Sequence, residues 1–324
     1  MDEFDLIAAL SERFTRSGPA GSPWVDIGDD AAVLRGDPRP LVVSVDASVE
    51  GVHFERSFAT AHDLGFRALM AAASDLAAMG AEPESALQAL IISRGSAAEW
   101  LLALADGYAE AASECGLRVV GGNVSRGDVV SLTTTVLGRL PTAGAPLLRQ
   151  GAAVGDDVYV GGPVGRAALG LAAIRAGVSN DDEALGPCMA HWRRPRARLA
   201  LGASLRGLAT SAIDLSDGLL QDLGHLASAS GVGLELTTGD IPTAPGFVVG
   251  CMRLGLHPEE TALTGGEDYE LAFTAPPHLR DEIRALHPEV RRIGQVESER
   301  GVRLRDAHGR ARDAKGPAGF RHQW

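Results

Sequence analysis

Two carboxylates and a hydroxyl group lie within four residues in the stretch Ser211-Ala212-Ile213-Asp214-Leu215-Ser216-Asp217-Gly218-Leu219. Oxygen ligands of this kind suit Mg²⁺, which usually binds a small number of carboxylates together with water and substrate phosphates. A single Asp-Gly pair is more often an ordinary turn. The stretch therefore predicts a magnesium site only if other segments of the chain support it.

Three further acidic segments also follow apolar runs: Gly28-Asp29-Asp30, Ser44-Val45-Asp46 and Ser74-Asp75. The third continues as Leu76-Ala77-Ala78-Met79-Gly80. Each segment alone could be a turn, whereas four of them in one chain are difficult to explain in that way. Together they favour the binding of hard cations by oxygen ligands.

The composition is that of a globular protein with room for two domains: 324 residues, of which 45% are hydrophobic and 22% charged. The net charge of −12 argues against a nucleic-acid or anionic-membrane partner, since either surface requires clustered Lys and Arg. The three widely spaced cysteines, Cys115, Cys188 and Cys251, indicate neither a disulfide framework nor a zinc site, and we expect reduced, mostly buried thiols. An acidic N-terminus and the lack of an apolar run of about 18 residues predict no signal peptide, no membrane span and a cytoplasmic location.

Helices and strands alternate along the first part of the chain. Apolar periodicity and β-branched runs predict helices at Leu6–Phe14, Ala61–Met79 and Ala97–Glu114, and strands at Leu41–Val45, Ser85–Ser93, Leu117–Val120 and Val129–Leu140. The last two strands flank a predicted loop, Gly121–Gly127. Asp46 follows the first strand directly, and Asp75 falls in the last turns of the second helix.

A segment of proline, glycine and small residues, Pro141–Pro146, predicts a domain boundary. Residues 1–140 and 147–324 are therefore expected to form separate domains. In the second domain we expect a strand at Asp157–Val160, a turn at Gly161–Gly165, a helix at Arg166–Ala176 and a strand-to-loop element at Ala262–Leu271. This alternation predicts a two-domain α/β or α+β protein.

The common phosphate-binding motifs are missing from the sequence. It contains neither Gly-x-x-x-x-Gly-Lys-Ser/Thr nor a kinase-type His-Arg-Asp loop. Phosphates are therefore expected to be held by Mg²⁺ bridges to carboxylates. Backbone N–H groups of the glycine pairs Gly121-Gly122 and Gly161-Gly162 are a second candidate for binding anions.

Six motifs carry a resemblance to a known family: Gly28–Val33, Ser44–Asp46, Gly51–Phe54, Ser74–Ala81, Ile213–Leu219 and Gly265–Leu271. They occur in the order found in bacterial thiamine-monophosphate kinases, over nearly the whole chain. That family is similar to the wider group that includes aminoimidazole ribonucleotide synthetase. The resemblance implies a two-domain fold of that group and a homodimer formed through the N-terminal sheet, with residues 1–140 as the ATP- and Mg-binding domain.

The resemblance implies transfer of the γ-phosphoryl group of ATP to thiamine monophosphate, giving thiamine diphosphate in its biosynthesis. The residue types agree with this chemistry. The acceptor phosphate is already an anionic nucleophile, so no strong general base is required, and the obstacle is the approach of two polyanions. Several Mg²⁺ ions between carboxylates and phosphates neutralise charge and align a direct in-line transfer.

The resemblance also implies roles for individual residues. Magnesium ligands are implied at Asp30, Ser44, Val45, Asp46, Asp75, Asn123, Asp214 and Asp217, with Val45 contributing only its backbone carbonyl. ATP contacts are implied at Tyr108, Gly122, Asn123, Arg149 and Ser216, and thiamine-monophosphate contacts at His53, Glu267 and Phe320. No catalytic residue is expected beyond the metal-bridging carboxylates. From the residues alone, Tyr108 could instead be a core residue and His53 a half-buried strand histidine.

The chain departs from the family pattern at two places. The family usually has Gly-Gly-Asp where this sequence has Gly121-Gly122-Asn123, so an oxygen ligand is kept and a negative charge is lost. Alternatively, Asn123 only shapes the glycine turn at a left-handed backbone position. The ending Gly319–Trp324 matches the family's aromatic and histidine ending loosely, and Trp324 could replace Phe320.

Three other functions are open to a chain of this fold group. One is another ATP-dependent synthetase, acting on formylglycinamidine ribonucleotide, although Gly265–Tyr269 fits the thiamine family better. Selenophosphate synthetase and the hydrogenase-maturation carbamoyl dehydratase need a reactive N-terminal or C-terminal Cys, neither of which this sequence contains. A non-catalytic regulator that binds Mg-nucleotide is the third, because of Asn123.

Overall fold

The computed structural model describes residues 3–15, 23–27, 30–142, 144–306 and 308–314. Contacts divide the chain into two compact units, one of Met1–Leu76 and Ala81–Ala143, the other of Ala77–Gly80 and Gly144–Trp324. The division after residue 143 lies inside the segment that the sequence indicates as a boundary. Residues 77–80 belong to the second unit, although the sequence predicts that they lie in the first domain. The reason is that Ala77 packs in a core cluster with Leu205 of the second unit. None of the helices in the described part of the chain is long and apolar enough to span a membrane.

The first unit contains a four-stranded sheet, a two-stranded sheet and helices. The helices are α1 (Glu3–Thr15), α2 (Ala61–Ala78) and α3 (Ala98–Cys115), and the strands are β1 (Pro23–Val25), β2 (Val33–Leu34), β3 (Leu41–Val49), β4 (Glu82–Ser93), β5 (Arg118–Gly127) and β6 (Ser131–Arg139). Strands β1 and β2 pair with each other, and the larger sheet has the order β3-β6-β4-β5. Its neighbours are antiparallel, except for the parallel pair β4 and β5.

The segment Gly121–Gly127 is part of strand β5, so the predicted loop is wrong. In the parallel ladder Gly122 lies opposite Gln88 of β4, and Asn123 lies opposite Ala89. A Cβ atom at Gly122 would approach the Gln88 carbonyl oxygen to 2.0 Å, so the glycine permits close strand contact. Among the described non-glycine residues, positive φ occurs only at Glu267 and Tyr269. The left-handed turn considered for Asn123 is therefore wrong as well.

The two faces of the four-stranded sheet differ in their surroundings. One face packs on α2 and α3 in a core that includes Leu64, Leu104, Leu90 and Leu132. The other face carries exposed apolar side chains: Leu41, Val43 and Val45 on β3, and Leu87 and Ile91 on β4. Alternation along each strand assigns neighbouring residues to opposite faces.

The second unit is built around a seven-stranded sheet with the order β13-β12-β9-β11-β7-β10-β8. Its strands are β7 (Asp157–Val160), β8 (Ser211–Asp214), β9 (Gly233–Thr237), β10 (Leu271–Ala275), β11 (Arg291–Glu297), β12 (Gly301–Arg305) and β13 (Ala311–Asp313). Its helices are α4 (Arg166–Arg175), α5 (Gly186–Arg193), α6 (Leu199–Leu205), α7 (Leu219–Ser230), α8 (Phe247–Arg253), α9 (Pro258–Thr264) and α10 (Arg280–Leu286), with short 3-10 helices at Thr238–Asp240 and Pro277–Leu279. Neighbouring strands are antiparallel except β12 and β9.

Both faces of this sheet are covered. Val158 and Val160 of β7 contribute to one core cluster, and Tyr159 between them contributes to the other. Strands buried on both faces are close to uniformly apolar, and β7 and β10 have that character. The three cysteines are buried free thiols, as the sequence predicts.

The predicted strand-to-loop element at Ala262–Leu271 is wrong in its first part. Residues up to Thr264 complete helix α9, and the strand begins only at Leu271. The helix starts at Pro258, where proline needs no N–H partner, and two glutamates in its first turn suit the helix dipole. The predicted element begins at Ala262, four residues after Pro258, and therefore leaves out the residues that indicate the start of the helix.

Helices α2 and α3 touch through two glycines. A Cβ atom at Gly65 would lie 1.9 Å from the Leu104 carbonyl oxygen, and one at Gly107 would lie 1.8 Å from that of His62. The contact is reciprocal, so each helix backbone rests on the other. This close packing supports α2, whose later turns carry Asp75.

We expect Gly65→Ala and Gly107→Ala to lower the free energy of unfolding by about 1–3 kcal/mol, because the helices must separate. Alanine favours helices by up to about 1 kcal/mol over glycine, so the matched control is Gly224→Ala in α7. A Cβ atom there has no neighbour within 4 Å, and this variant should be as stable as the wild type or more so. Urea unfolding measures all three, and equal effects at the three positions would contradict the packing argument.

Candidate functional site

Two predicted oxygen ligands of the first unit are in direct contact. The Ser44 hydroxyl of β3 donates a hydrogen bond to Oδ2 of Asp75 near the end of α2. Asp46 lies on the same face of β3 as Ser44, and its Oδ1 accepts the Ala47 N–H at 2.7 Å. Val45 points its side chain to the opposite, exposed face, so only its backbone is compatible with ligand binding. The strand and helix therefore gather oxygen atoms at one place.

Other predicted ligands of this unit lie elsewhere. Asp30 is exposed in a bend before β2. Gly122 and Asn123 are exposed on β5, at the sheet edge opposite β3. Asp46, Thr134, Gln88 and Gly122 form one row across the four strands. Three strand spacings of about 4.8 Å separate the backbones of Asp46 and Gly122 by roughly 14 Å along the sheet.

Tyr108 occupies the core of the first unit. Its side chain is 0% exposed, and its ring packs edge-on against Phe14 with the centroids 5.6 Å apart. Burial raises the pKa of the Tyr108 phenol. This position matches the core-residue alternative, because a fully buried ring offers no surface to a nucleotide.

His53 lies in a tight turn after β3, not in a strand, so the alternative of a strand histidine is wrong. The Val49 N–H donates to His53 Nδ1 at 3.1 Å, and the Gly51 N–H donates to the Phe54 carbonyl oxygen at 2.8 Å. Since Nδ1 accepts a hydrogen bond, the neutral ring carries its proton on Nε2. The turn therefore fixes the tautomer of His53.

Two residues that the sequence analysis did not single out hold this turn in place. Glu50 accepts the Val130 N–H at 3.0 Å and forms an ion pair with Arg56 at 2.8 Å. Arg56 lies 4.5 Å above the ring centroid of Trp100. Glu50 directly precedes the Gly51–Phe54 motif, and that position in the sequence was the available signal.

Carboxylates also gather in the second unit. Asp214 ends strand β8 and is buried, and Ser216 and Asp217 follow in the loop before α7. Asp222, in the first turn of α7, accepts the N–H groups of Asp217 and Gly218, both at 3.1 Å. Burial, followed by the charges of Asp214 and Asp217, raises the pKa of Asp222 to about 7. Asp222 lies outside the sequence motifs, and an acidic residue in the first helical turn was its only signal in the sequence.

The loop between α9 and β10 lies on this acidic loop. The Glu267 N–H donates to the Ser216 carbonyl oxygen at 2.8 Å, and the Tyr269 N–H donates to that of Leu215 at 2.9 Å. The Leu215 N–H donates in return to the Glu270 carbonyl oxygen at 2.8 Å. These bonds bring a predicted ATP contact, Ser216, next to a predicted thiamine-monophosphate contact, Glu267.

Glu267 has an uncommon backbone conformation. Its φ of 68° is left-handed, which costs a non-glycine residue roughly 1 kcal/mol or more. Such strain is often found at functional sites. The Glu267 side chain accepts a hydrogen bond from Trp192 Nε1 at 2.9 Å.

The Gly161-Gly162 turn faces a carboxylate of the protein itself, which argues against the predicted role in anion binding. The Gly161 N–H donates to the Leu271 carbonyl oxygen at 2.7 Å, and a Cβ atom at Gly162 would lie 2.7 Å from Glu270 Oε1. Glu270 is buried between Arg166 and Arg198, each 2.8 Å away. The glycines make room for this ion-pair network.

The remaining predicted site residues are Arg149, Phe320 and the alternative Trp324. Arg149 is exposed, and its carbonyl oxygen accepts the Ser230 hydroxyl at 3.1 Å. Phe320 and Trp324 lie outside the described residues. Over the part of the chain that the structure describes, no group of three or more His, Cys, Asp or Glu side chains is arranged to hold a metal ion. A cation would therefore need oxygen atoms from other sources.

Family models cover both units. The AIR synthase related protein, N-terminal domain, matches residues 28–140, and the corresponding C-terminal domain matches residues 153–307. The thiamine-monophosphate kinase of Salmonella typhimurium is 39% identical over 282 residues, which are 85% of this chain and 82% of the relative. That of Bacillus subtilis is 33% identical over 307 residues, 91% of each chain.

Solved structures give the same result. A thiamine-monophosphate kinase from Stenotrophomonas maltophilia K279a has a TM-score of 0.83 and 33% identity, covering 94% of this chain and 96% of that one. AaThiL complexed with AMPPCP and TMP has a TM-score of 0.79 and 29% identity, covering 99% and 97%. The Escherichia coli hydrogenase maturation protein HypE, with a TM-score of 0.77 and 23% identity over 98% of both chains, shares the fold. With both domain models matched and these relatives aligned over most of its length, the chain belongs to the thiamine-monophosphate kinase family of AIR synthase related proteins.

Proposed function

We propose that this protein transfers the γ-phosphoryl group of ATP to thiamine monophosphate, giving ADP and thiamine diphosphate in thiamine diphosphate biosynthesis. Relatives named thiamine-monophosphate kinase align over most of the chain, and AaThiL is complexed with AMPPCP and TMP. The observation that carries the proposal is the hydrogen-bonded pair of loops with Ser216 and Glu267, predicted contacts of ATP and thiamine monophosphate. A cytoplasmic location stays a prediction.

The donor atoms of this chain fit Mg²⁺. Buried Asp214 and Asp222 and half-buried Asp217 crowd their charges in the second unit, and Ser44 and Asp75 pair their oxygens in the first. Mg²⁺ commonly completes its coordination with water and substrate phosphates, so a full protein cage is not required. The proposed ligands are Asp30, Ser44, the Val45 carbonyl, Asp46, Asp75, Asn123, Asp214 and Asp217. Bound Mg²⁺ supplies charge neutralisation and alignment of the phosphates.

The proposed role of the side chains is to bind and orient ATP and thiamine monophosphate. Arg149 offers a guanidinium fork and Ser216 a hydroxyl to ATP phosphates, and Gly122 and Asn123 are further proposed contacts. His53 presents its Nε2–H to thiamine monophosphate, and Glu267 presents a carboxylate. No side chain has to remove a proton from the acceptor phosphate, because it is already an anion. The phosphoryl group therefore passes directly from ATP to its acceptor.

We also propose that the protein is a homodimer that covers the exposed face of the four-stranded sheet. Five large apolar side chains on β3 and β4 are at least 37% exposed on that face. Contiguous apolar patches of this kind mark interaction surfaces. A second copy of the chain is the partner that the resemblance implies.

The position of Asn123 bears on whether one metal site takes ligands from both copies of the chain. Two oxygens bound to one Mg²⁺, each at about 2.1 Å, lie within roughly 4 Å of each other. Asp46 and Asn123 are on opposite edges of the sheet, and their side chains are too short to meet across the strands between them. If both residues bind one ion, they come from different copies of the chain.

The kinase activity is tested by ADP release from ATP in the presence and absence of thiamine monophosphate. We expect release to require thiamine monophosphate and Mg²⁺, and Asp75→Ala and Asp214→Ala to lower kcat by about 100-fold or more, because charge neutralisation in the transition state is lost. Asp281→Ala is the matched control, since its side chain is 96% exposed in α10. Substantial activity in a folded Asp214→Ala variant would show that the metal assignment is wrong, and ADP release independent of thiamine monophosphate would contradict the kinase function.

Direct transfer predicts that no phosphorylated enzyme forms. If a side chain did accept the phosphoryl group, His53 would be the first candidate, because histidine can form covalent intermediates. Its Nδ1 is occupied by the Val49 N–H, and Nε2 holds the proton in the neutral ring. Enzyme incubated with γ-labelled ATP without acceptor should remain unlabelled. A stoichiometric label on His53 that passes to thiamine monophosphate would overturn the direct mechanism.

Asn123 is expected to raise the Mg²⁺ requirement relative to family members with Asp. A charge pair at about 4 Å is worth at most about 4 kcal/mol at an effective dielectric near 20, and desolvation reduces this. Asn123→Asp should therefore lower the Mg²⁺ concentration at half-maximal rate, and Asn123→Ala should raise it. Magnesium titrations of rate and of nucleotide binding compare the three proteins. Three superimposable curves would mean that Asn123 binds no metal.

The dimer surface is tested by charge substitution. Val43→Glu places a carboxylate on the exposed sheet face, where Val43 is 57% exposed. Val249→Glu in α8 is the control, since Val249 is 58% exposed in the second unit. Light scattering should give a dimeric mass for the wild type and for Val249→Glu, and a lower mass for Val43→Glu. A monomeric wild type would contradict the homodimer.

A further inference from the structure

Trp192 connects the core of the second unit to the Glu267 side chain. It lies near the end of α5 and is 1% exposed, and its indole Nε1 donates to Glu267 Oε2 at 2.9 Å. Tryptophan has one side-chain donor and no acceptor, so it pairs only with an acceptor such as a carboxylate oxygen. A hydrogen bond to an ionised group is stronger than one between neutral groups. The contact therefore favours one orientation of the Glu267 carboxylate.

The backbone beneath Glu267 is already held in place. The Glu267 N–H is bonded to the Ser216 carbonyl oxygen at 2.8 Å, and a Cβ atom at Gly266 would approach that same oxygen to 2.6 Å. These contacts determine where the side chain begins, but a glutamate has three further torsions. The bond from Trp192 acts on the far end of the side chain, which the backbone contacts do not reach.

Helix α5 is a rigid base for this bond. Its Cys188 and Met189 are fully buried, and Gly170 of α4 approaches so closely that a Cβ atom there would lie 2.1 Å from the Cys188 carbonyl oxygen. The preceding residue, His191, also faces the same loop, with Nε2 3.8 Å from Asp268 Oδ1. Two consecutive residues of α5 thus contact two consecutive residues of the loop.

We propose that Trp192 is a positioning residue, which holds the Glu267 carboxylate in the orientation that meets the amino group or the cationic heterocycle of the acceptor. This inference rests on the proposed function. A carboxylate that is oriented before binding loses less conformational freedom when the acceptor arrives. Trp192 therefore acts on the affinity for thiamine monophosphate and not on phosphoryl transfer itself.

Trp192→Phe removes the N–H donor and keeps an aromatic ring in the core. We expect KM for thiamine monophosphate to rise about tenfold, the effect of one hydrogen bond to a charged group. KM for ATP and kcat should stay within about twofold. In the Glu267→Ala variant, the added Trp192→Phe substitution should not change KM for thiamine monophosphate further, because the carboxylate through which Trp192 acts is absent. Tyr159→Phe is the matched control, since it removes another buried aromatic donor to a carboxylate, Asp157, and should leave both KM values unchanged.

A measurement on proteins with the intact tryptophan covers the case in which Trp192→Phe does not fold. Of the four indole N–H signals in a ¹⁵N spectrum, one should shift in Glu267→Gln and also on addition of thiamine monophosphate to the wild type. An unchanged KM for thiamine monophosphate in Trp192→Phe, equal changes in both KM values, or no indole response to Glu267→Gln would each overturn the proposal. Failure of the wild type to phosphorylate thiamine monophosphate would instead overturn the proposed function, so the two failures are distinguishable.

Discussion

The hydrogen bonds between the loop after β8 and the loop before β10 are the constraint on which the second half of the candidate site depends. Strands β8 and β10 are antiparallel neighbours, and the pairing of Leu271 with Asp214 places the ends of both loops side by side. The bonds from Leu215, Glu267 and Tyr269 then continue the ladder beyond the strands. Glu267 and Tyr269 adopt left-handed backbone conformations within this contact. Residues more than fifty positions apart in sequence, such as Ser216 and Glu267, thus become neighbours.

The charges around these loops are unevenly compensated. Glu270 lies between two arginines, whereas Asp222 accepts two backbone N–H groups, and burial, followed by the charges of Asp214 and Asp217, raises its pKa. Buried carboxylates without a cation are costly, and such groups are common where a protein binds metal or catalyses a reaction. The Glu270 network supports the loop, and the carboxylates of Asp214, Asp217 and Asp222 are the part of this unit where Mg²⁺ is proposed to bind with the help of water and phosphate oxygens.

In the first unit, the packing of two helices and the faces of one sheet organise the predicted ligands. The glycine contact between α2 and α3 keeps the helices close, and α2 presents Asp75 to Ser44. Strand alternation places Ser44 and Asp46 on one face and Val43 and Val45 on the other. A single strand therefore serves both the proposed metal site and the proposed dimer surface.

Much of the fold could be predicted from local pattern. Apolar periodicity and β-branched runs predict α2, α3, β4 and β7 to within a few residues, and the division of contacts after residue 143 falls in the proline- and glycine-rich segment. The acidic motifs predicted oxygen-ligand chemistry, because carboxylate type and spacing are local properties. Six ordered motifs between Gly28 and Leu271 also indicated the family. Glycine content predicts a loop at Gly121–Gly127, and this prediction is wrong because pairing with β4 decides the conformation there.

Tertiary structure alone decided which of these residues meet. The contacts of Trp192 with Glu267 and of Asp222 with the Asp217–Gly218 backbone join elements that no local pattern relates. The separation of Asn123 from Asp46 follows from strand order, which propensity does not encode. Tyr108 is a core residue because helix α1 packs on its helix, α3, and these two helices are far apart in the sequence. Residue types and their spacing thus determined the chemistry, and long-range pairing determined its geometry, because the free energy of a contact depends on neighbours that the chain brings together only when folded.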